Sequence, residues 1–312
     1  MEMETSSVIT GDALECLQAM EPESIDCCVT SPPYYGLRDY GMIGQLGLED
    51  SPEEYIERLV VIFEEVRRVL KREGTLWVNI GDSYSGSWKG AATWPDNAMN
   101  YKQGTNRGML GKKVLRGNFP GYKPKDLIGI PWMLAFALRS RGWYLRQDII
   151  WSKKNCMPES VRDRCTKSHE YIFLLSKSRH YYYNAELIKE PAVGCNKRLP
   201  MGSKGTFTPN SGRREREGKL SIEAGGLRNK RSVWEVATSR SKEAHFATFP
   251  VKLIQPCILA GCPEGGTVLD PFFGTGTTGV AAKSLGRNFV GIELNPEYVA
   301  MATRRLFNEN RR

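Results

Sequence analysis

The segment best suited to chemistry is a stiff turn that directly follows a short apolar run. Residues 25–30 form the apolar run, and Ser31-Pro32-Pro33-Tyr34 follow it. Two consecutive prolines lock φ and remove N–H donors, so the turn is rigid and its carbonyl oxygens stay free. The Ser31 hydroxyl and the Pro32 carbonyl then offer hydrogen-bond acceptors beside the aromatic face of Tyr34. This arrangement suits an exocyclic NH2 group on a planar heterocycle, which can stack on the ring while its N–H bonds are accepted.

A second segment, residues 267–279, is typical of a strand, a tight glycine turn and the start of a helix. Gly274 and Gly276 let a ligand approach the backbone where a side chain would collide. The turn lacks both the glycine spacing of an NAD site and the lysine of a phosphate loop. Glu293 ends the next strand about twenty residues on, where a carboxylate can accept hydrogen bonds from both hydroxyls of a ribose. The two features together predict a site for an adenosine-containing cofactor.

The elements that must position these turns are strands alternating with helices. Strands are predicted at 7–10, 25–30, 75–80, 144–151, 170–176, 267–269 and 288–292, and helices at 13–20, 52–71, 131–139, 251–259, 279–285 and 296–306. Such alternation predicts βαβ units, and hence an α/β fold with a mostly parallel sheet. We expect one catalytic domain over residues 1–312.

The net charge of the chain is concentrated in two segments. Lys and Arg number 44 against 35 Asp and Glu, which gives a net charge of +9. Residues 84–125 carry eight Lys and Arg and one acid, and residues 195–242 carry twelve and four, so the rest of the chain is mildly acidic. Both segments are rich in Gly, Ser, Asn and Pro and are predicted to be long loops inserted in the domain.

Composition excludes several other classes of protein. No apolar run approaches the roughly 18 residues that cross a bilayer, and the acidic N-terminus lacks the features of a signal peptide. We therefore expect a cytoplasmic, nucleoid-associated protein with no membrane partner. The eight cysteines include no C-x-x-C pair and there are only three histidines, so no metal site is predicted.

Taken together, the two turns resemble the signature motifs of the DNA amino-methyltransferases, which use S-adenosylmethionine. These motifs are S/D/N-P-P-Y and D-P-F-x-G-x-G-T-T, and here the first precedes the second with a basic region between them. This order is similar to that of the beta group, a circular permutation of the usual arrangement. The resemblance covers nearly the whole chain and implies a Rossmann-like methyltransferase fold that acts on double-stranded DNA by base flipping.

The resemblance also implies roles for particular residues. The turn at Ser31, Pro32, Pro33 and Tyr34 is expected to be catalytic. The residues expected to bind the cofactor are Asp12, Thr30, Thr248, Asp270, Phe272, Gly274, Gly276, Thr277 and Glu293. Residues 76–82 and 151–153 resemble the borders of the target-base pocket, although Trp151 suits a core role equally well. Residues 195–242 are the expected target-recognition region, and residues 84–125 a second DNA-contact loop.

The target base is predicted from the first residue of the catalytic turn. Within the family, a serine there is more typical of enzymes that modify cytosine N4, and an aspartate of those that modify adenine N6. The expected activity is therefore methylation of cytosine N4, with adenine N6 as the alternative. More remote alternatives are a non-catalytic cofactor- and DNA-binding module and methylation of RNA or a protein amide. A homodimer and a cognate restriction endonuclease are further candidates for partners.

Overall fold

The computed structural model describes residues 6–86, 121–192, 226–238 and 249–307. The helices are α1 (Ala13–Gln18), α2 (Pro52–Val69), α3 (Ile130–Ser140), α4 (Val251–Gly261), α5 (Thr277–Ser284) and α6 (Pro296–Phe307). The strands are β1 (Ser6–Thr10), β2 (Ile25–Thr30), β3 (Leu70–Ile80), β4 (Tyr144–Ser152), β5 (His169–Ser176), β6 (Glu190–Pro191), β7 (Leu227–Arg228), β8 (Val233–Glu235), β9 (Thr267–Asp270) and β10 (Asn288–Glu293). All the predicted elements are present, and their bounds agree within two residues except at the start of β3.

Eight of these strands form one sheet in the order β1-β10-β9-β2-β3-β5-β4-β8. Among the described strands of this sheet, β5 alone runs against its neighbours, since it pairs antiparallel with both β3 and β4. The central strands are apolar on both faces, as a sheet covered on both sides requires. Cys28 and Leu76 belong to the core on one face, and Cys27 and Trp77 belong to the core on the other. The predicted mostly parallel α/β fold is confirmed.

Helices cover both faces of this sheet. On one face α1, α2 and α3 pack around a core that includes Leu17, Phe63 and Leu134. On the other face α4, α5 and α6 pack around a core that includes Leu253 and Ala281. None of the described helices is both long and apolar enough to cross a membrane.

Helix α2 shows how the sequence specifies one of these layers. The Ser51 hydroxyl accepts a hydrogen bond of 3.1 Å from the Glu54 backbone N–H, and Pro52 occupies the first turn, so the helix begins where its capping residues predict. Its buried stripe faces the sheet. Near its end, the Arg68 guanidinium donates hydrogen bonds to the carbonyls of Leu17 and Met20, which fixes the end of α1.

The structure describes only parts of the two basic segments. In one of them, residues 195–242, the described part includes short strands where the sequence predicts a long loop. The described residues on either side of 87–120 lie close together, because the Ser85 N–H donates to the Asp126 carbonyl at 2.9 Å. Within the other segment, β8 adds a parallel edge strand beside β4, so the prediction of a long loop is wrong at residues 233–235. Arg228 and Arg231 both bond to the Glu190 carboxylate, so these two cations brace the β6–β7 pair.

The packing of α3 generates a prediction about stability. Leu134 is buried and Phe136, on the opposite face of the same helix, is 46% exposed. We expect Leu134→Ala to lower the free energy of unfolding by about 2–5 kcal/mol, because it leaves a cavity in the core. Phe136→Ala removes a larger side chain and should cost less than half as much. Denaturant unfolding followed by circular dichroism measures both losses, and equal losses would contradict the packing described.

Candidate active site

The chemically active segments meet at one edge of the sheet because they follow the ends of parallel strands. Strands β9 and β2 are neighbours in the sheet. The chain continues from β9 to β10 on one side of this pair and from β2 to β3 on the other side. Such a switch point leaves a crevice outside the carboxyl ends of the strands. The Ser31–Tyr34 turn follows β2 and the glycine turn follows β9. The two predicted motifs are therefore neighbours at the crevice.

A cavity of about 390 Å³ occupies this crevice. The residues predicted from sequence that line it are Asp12, Ser31, Pro32, Pro33, Tyr34, Asp270, Phe272, Gly274, Thr277 and Glu293. An apolar and basic loop that includes Leu37, Arg38 and Met42 also lines the cavity, together with Val61 of α2. The loop carries no periodic pattern, and sequence reasoning did not identify it. The cavity joins both predicted halves of the site in one space.

The base of the site is a buried hydrogen-bond cluster around Asp270. Its Oδ1 accepts from the Thr30 hydroxyl at 2.6 Å and from the Phe272 N–H at 3.0 Å, and its Oδ2 accepts from the Thr278 hydroxyl at 2.5 Å. Burial raises the pKa of Asp270 to about 6, although these three donors act in the opposite direction. Asp270 therefore holds the cofactor turn against the end of β2.

Two further carboxylates border the cavity and shape its backbone. Glu293 accepts hydrogen bonds from the N–H groups of Gly274 and Asn295, each at 2.8 Å, with different oxygens. Burial raises the pKa of Glu293. Asp12 caps α1, since its Oδ1 accepts from the N–H groups of Leu14 and Glu15. Each carboxylate oxygen has two acceptor positions, so both groups retain capacity for a ligand.

The catalytic turn is connected to a polar cluster behind it. The Tyr34 hydroxyl donates to Glu170 Oε2 at 2.7 Å and lies 3.3 Å from Asn79 Oδ1. Glu170 also forms an ion pair with Lys153. A Cβ atom at Gly81 would lie 2.6 Å from Cε2 of Tyr34, so only glycine allows the ring to lie against the end of β3. Burial, and then the Glu170 charge, raise the pKa of the Tyr34 hydroxyl.

Some predicted site residues lie away from the cavity. Thr30 is fully buried and contacts Asp270. Gly276 lies at the N-cap of α5 with φ of 81°, and a Cβ there would lie 3.1 Å from Cβ of Ala302. Its role is therefore to allow the backbone conformation and close packing of the turn. Thr248 lies outside the described residues. Trp151 is buried and its Nε1 donates to the Val236 carbonyl at 2.8 Å, which places it in the core.

Glu170 is the functional candidate that sequence reasoning missed. It was assigned to a strand with no role, whereas Asn79 and Lys153 fell within segments expected at the pocket border. The available signal was a pair of polar side chains, Asn79 and Glu170, at the ends of apolar strands.

Among the described residues, no group of three or more His, Cys, Asp and Glu side chains could hold a metal ion.

The raised pKa of Asp270 predicts a pH dependence of stability. Its value rises from 3.8 to about 6 on folding, so this group's contribution is full below about pH 4 and is lost as the pH rises through 6. We expect the free energy of unfolding of the wild type, relative to Asp270→Asn, to fall by up to about 3 kcal/mol between pH 4 and pH 7. Denaturant titrations of both proteins at each pH measure the difference, and a difference that grows with pH would refute the assignment.

Solved structures similar to this chain share its fold. The cytosine-N4-specific PvuII DNA methyltransferase superposes with a TM-score of 0.64 at 18% identity, with 99% of this chain and 89% of that chain covered. A protein from Thermus thermophilus described as a DNA modification methylase, solved with S-adenosyl-L-methionine, gives a TM-score of 0.59 at 21% identity, with 97% and 94% covered. These likenesses show that the chain shares the fold of these two proteins.

Sequence relatives are much closer. The Type II methyltransferase M.SmaI of Serratia marcescens is 48% identical over 97% of this chain and 91% of its own length. M.Cfr9I of Citrobacter freundii is also 48% identical, over 99% of this chain and 90% of its own length. The model of the N6/N4 DNA methylase family matches residues 25–304. With both signature turns at one cavity and this match over most of its length, the chain belongs to the N6/N4 DNA methylase family.

Proposed function

We propose that this DNA methyltransferase transfers a methyl group from S-adenosylmethionine to the exocyclic N4 of a cytosine within a specific DNA sequence. The observation that supports this most is the meeting of Ser31 and Tyr34 with Phe272 and Glu293 in one cavity. Direct methyl transfer requires a group that accepts hydrogen bonds from the target NH2 and a cofactor turn that both face the same space. Ser31 in place of a carboxylate, and the cytosine-N4 specificity of the PvuII enzyme, favour cytosine over adenine.

The cofactor half of the cavity suits S-adenosylmethionine, which supplies an electrophilic sulfonium methyl when bound. The volume of about 390 Å³ lies in the range of about 300–1,000 Å³ usual for small-molecule sites. A Cβ atom at Gly274 would have no neighbour within 4 Å, so the turn leaves open space above its backbone. Glu293 would accept hydrogen bonds from the ribose hydroxyls, and Asp12 from the adenine amino group, with Phe272 beside them.

The catalytic turn acts by positioning a weak nucleophile. The exocyclic amino nitrogen reacts poorly because its lone pair is delocalised into the ring. When Ser31 Oγ and the Pro32 carbonyl accept its N–H bonds, the lone pair is localised and directed into the cofactor half of the cavity. Holding reactants at near-attack distance supplies much of the rate enhancement. After transfer the nitrogen is cationic and acidic, so a proton passes to Ser31 or to water.

The target amino group lies inside the duplex, so the base must leave the stack. Flipping costs a few kcal/mol, and stacking on Tyr34 offsets about 1–3 kcal/mol of it. Residues 84–125 and 195–242 carry the positive charge that would hold the DNA. Arg228 and Arg231 are already paired with Glu190, and Lys125 with Asp163, so the other cations of these segments would make the phosphate contacts. A homodimer, a cognate endonuclease and location at the nucleoid in the cytoplasm stay predictions.

The role of the catalytic turn predicts the behaviour of Ser31→Ala. Loss of the acceptor should lower the single-turnover rate of methyl transfer about 100-fold, by analogy with removal of one preorganised hydrogen-bond partner. Affinity for S-adenosylmethionine, measured by calorimetry, should change less than about threefold, because Ser31 does not belong to the cofactor turn. A variant that loses cofactor binding in parallel with activity would contradict the role proposed.

The target base is identified by a labelling experiment. The protein is incubated with tritiated S-adenosylmethionine and unmethylated duplex DNA, which is then digested to nucleosides and separated. We expect the label in N4-methyldeoxycytidine, because a serine at the first position of this turn is more typical of enzymes that modify cytosine N4. Label in N6-methyldeoxyadenosine alone would overturn the cytosine assignment. Ser31→Ala protein serves as the matched control for label incorporated by a contaminant.

A further inference from the structure

A directed chain of hydrogen bonds leads from the catalytic serine away from the cavity. Ser31 Oγ lies 3.5 Å from the Tyr34 hydroxyl oxygen, which lies 2.7 Å from Glu170 Oε2. The side chains of Glu170 and Lys153 are 12% and 21% exposed and form an ion pair. The carboxylate is therefore almost removed from solvent, and a cation balances its charge.

The chemistry of its members gives this chain one direction. A carboxylate can only accept hydrogen bonds, and a phenol has one hydrogen to donate. The bond to the charged oxygen of Glu170 is the shorter and stronger one, so the Tyr34 hydrogen points to Glu170. Asn79 does not donate to the Tyr34 oxygen. Its Nδ2 donates to Glu170 and to the Tyr171 carbonyl, and it faces the Tyr34 hydroxyl with Oδ1, an acceptor. The oxygen of Tyr34 is then left as an acceptor for the hydrogen of Ser31.

We propose that Glu170 is a positioning residue that fixes the polarity of Ser31. With its hydrogen committed to Tyr34, Ser31 Oγ presents only lone pairs to the cavity, and these accept N–H bonds from the target amino group. In the opposite polarity the Ser31 hydrogen would face an NH2 group that is itself a donor. The proposal rests on the function proposed for Ser31 and adds the group that determines its orientation.

The surroundings of Glu170 hold it in the required place. Lys153 Nζ lies 4.6 Å from the centre of the Trp151 ring, and that ring is fixed by its bond to the Val236 carbonyl. The cation bonds Oε1 of Glu170, the carboxylate oxygen that does not accept from Tyr34. Oε1 of Glu170 pairs with the Lys153 cation, and Oε2 accepts the hydrogen bond from Tyr34.

A double-mutant cycle between Glu170 and Tyr34 tests this proposal. Glu170→Gln replaces an acceptor-only group by one that can also donate, and Tyr34→Phe keeps the ring and removes the hydroxyl. We expect each variant to lower the single-turnover rate of methyl transfer about 10- to 100-fold, as loss of a charge-assisted bond implies. The double variant should be no slower than the slower single variant, within about twofold, because both changes break one chain.

The controls separate positioning from folding. Affinity for S-adenosylmethionine and for DNA should change less than about threefold in each variant, so the loss appears in the rate alone. Glu65→Gln removes a comparable partly buried carboxylate, which is paired with Arg68 at 2.7 Å outside the site, and should keep the wild-type rate. Tyr34→Phe leaves the Glu170–Lys153 ion pair intact, so it tests the chain even if Glu170→Gln fails to fold.

Several outcomes would overturn the proposal. A wild-type rate in Tyr34→Phe would show that the chain does not act on Ser31. An equal loss from Glu170→Gln in the wild-type and Tyr34→Phe proteins would show that Glu170 acts by another route. If Ser31→Ala itself keeps the wild-type rate, the function proposed for Ser31 fails, whereas a slow Ser31→Ala with a fast Glu170→Gln refutes only the inference about Glu170.

Discussion

The whole site depends on one buried hydrogen bond, from the Thr30 hydroxyl to the Asp270 carboxylate at 2.6 Å. It joins two residues 240 positions apart in the chain, each the last of its strand. Ser31 directly follows one of them and Phe272 lies two residues after the other. Because the bond crosses the switch point of the sheet, it sets the catalytic turn in register with the cofactor turn. The order of the two turns along the chain does not affect this geometry, because the bond joins the ends of the two strands that the turns follow.

The same bond imposes an electrostatic cost that the fold offsets locally. Asp270 is 2% exposed, and a carboxylate so deeply buried is shifted toward its neutral form. Three donors from Thr30, Thr278 and the Phe272 backbone satisfy it. Two of these donors lie in the cofactor turn and its helix, and the third ends the catalytic strand. Asp270 is therefore a structural centre of the site, and the residues that we propose to contact ligands are arranged around it.

Apolar periodicity was sufficient to predict the α/β architecture and the main helices, because those patterns reflect which faces are buried. It also placed Ser31, Gly274 and Glu293 at strand ends, where parallel strands bring them together. The direction of β5 could not be predicted, since an apolar run is the same pattern in both directions. For this reason the role of Glu170 was missed. The short strand β8 pairs with β4 beside Trp151. Local sequence patterns therefore could not predict β8, and they could not decide between the core and the pocket border for Trp151.

The reversal of β5 has a chemical consequence. An antiparallel strand brings its first residues to the edge of the sheet where its neighbours end. Glu170, the second residue of β5, therefore lies within hydrogen-bond distance of Tyr34. The developing charge on the target nitrogen is positive, and a neutral serine is the group proposed to touch it. The negative charge of Glu170 lies beyond Tyr34 and is balanced by Lys153. In the mechanism we propose, fixed dipoles orient Ser31, and no free carboxylate has to be desolvated against the base.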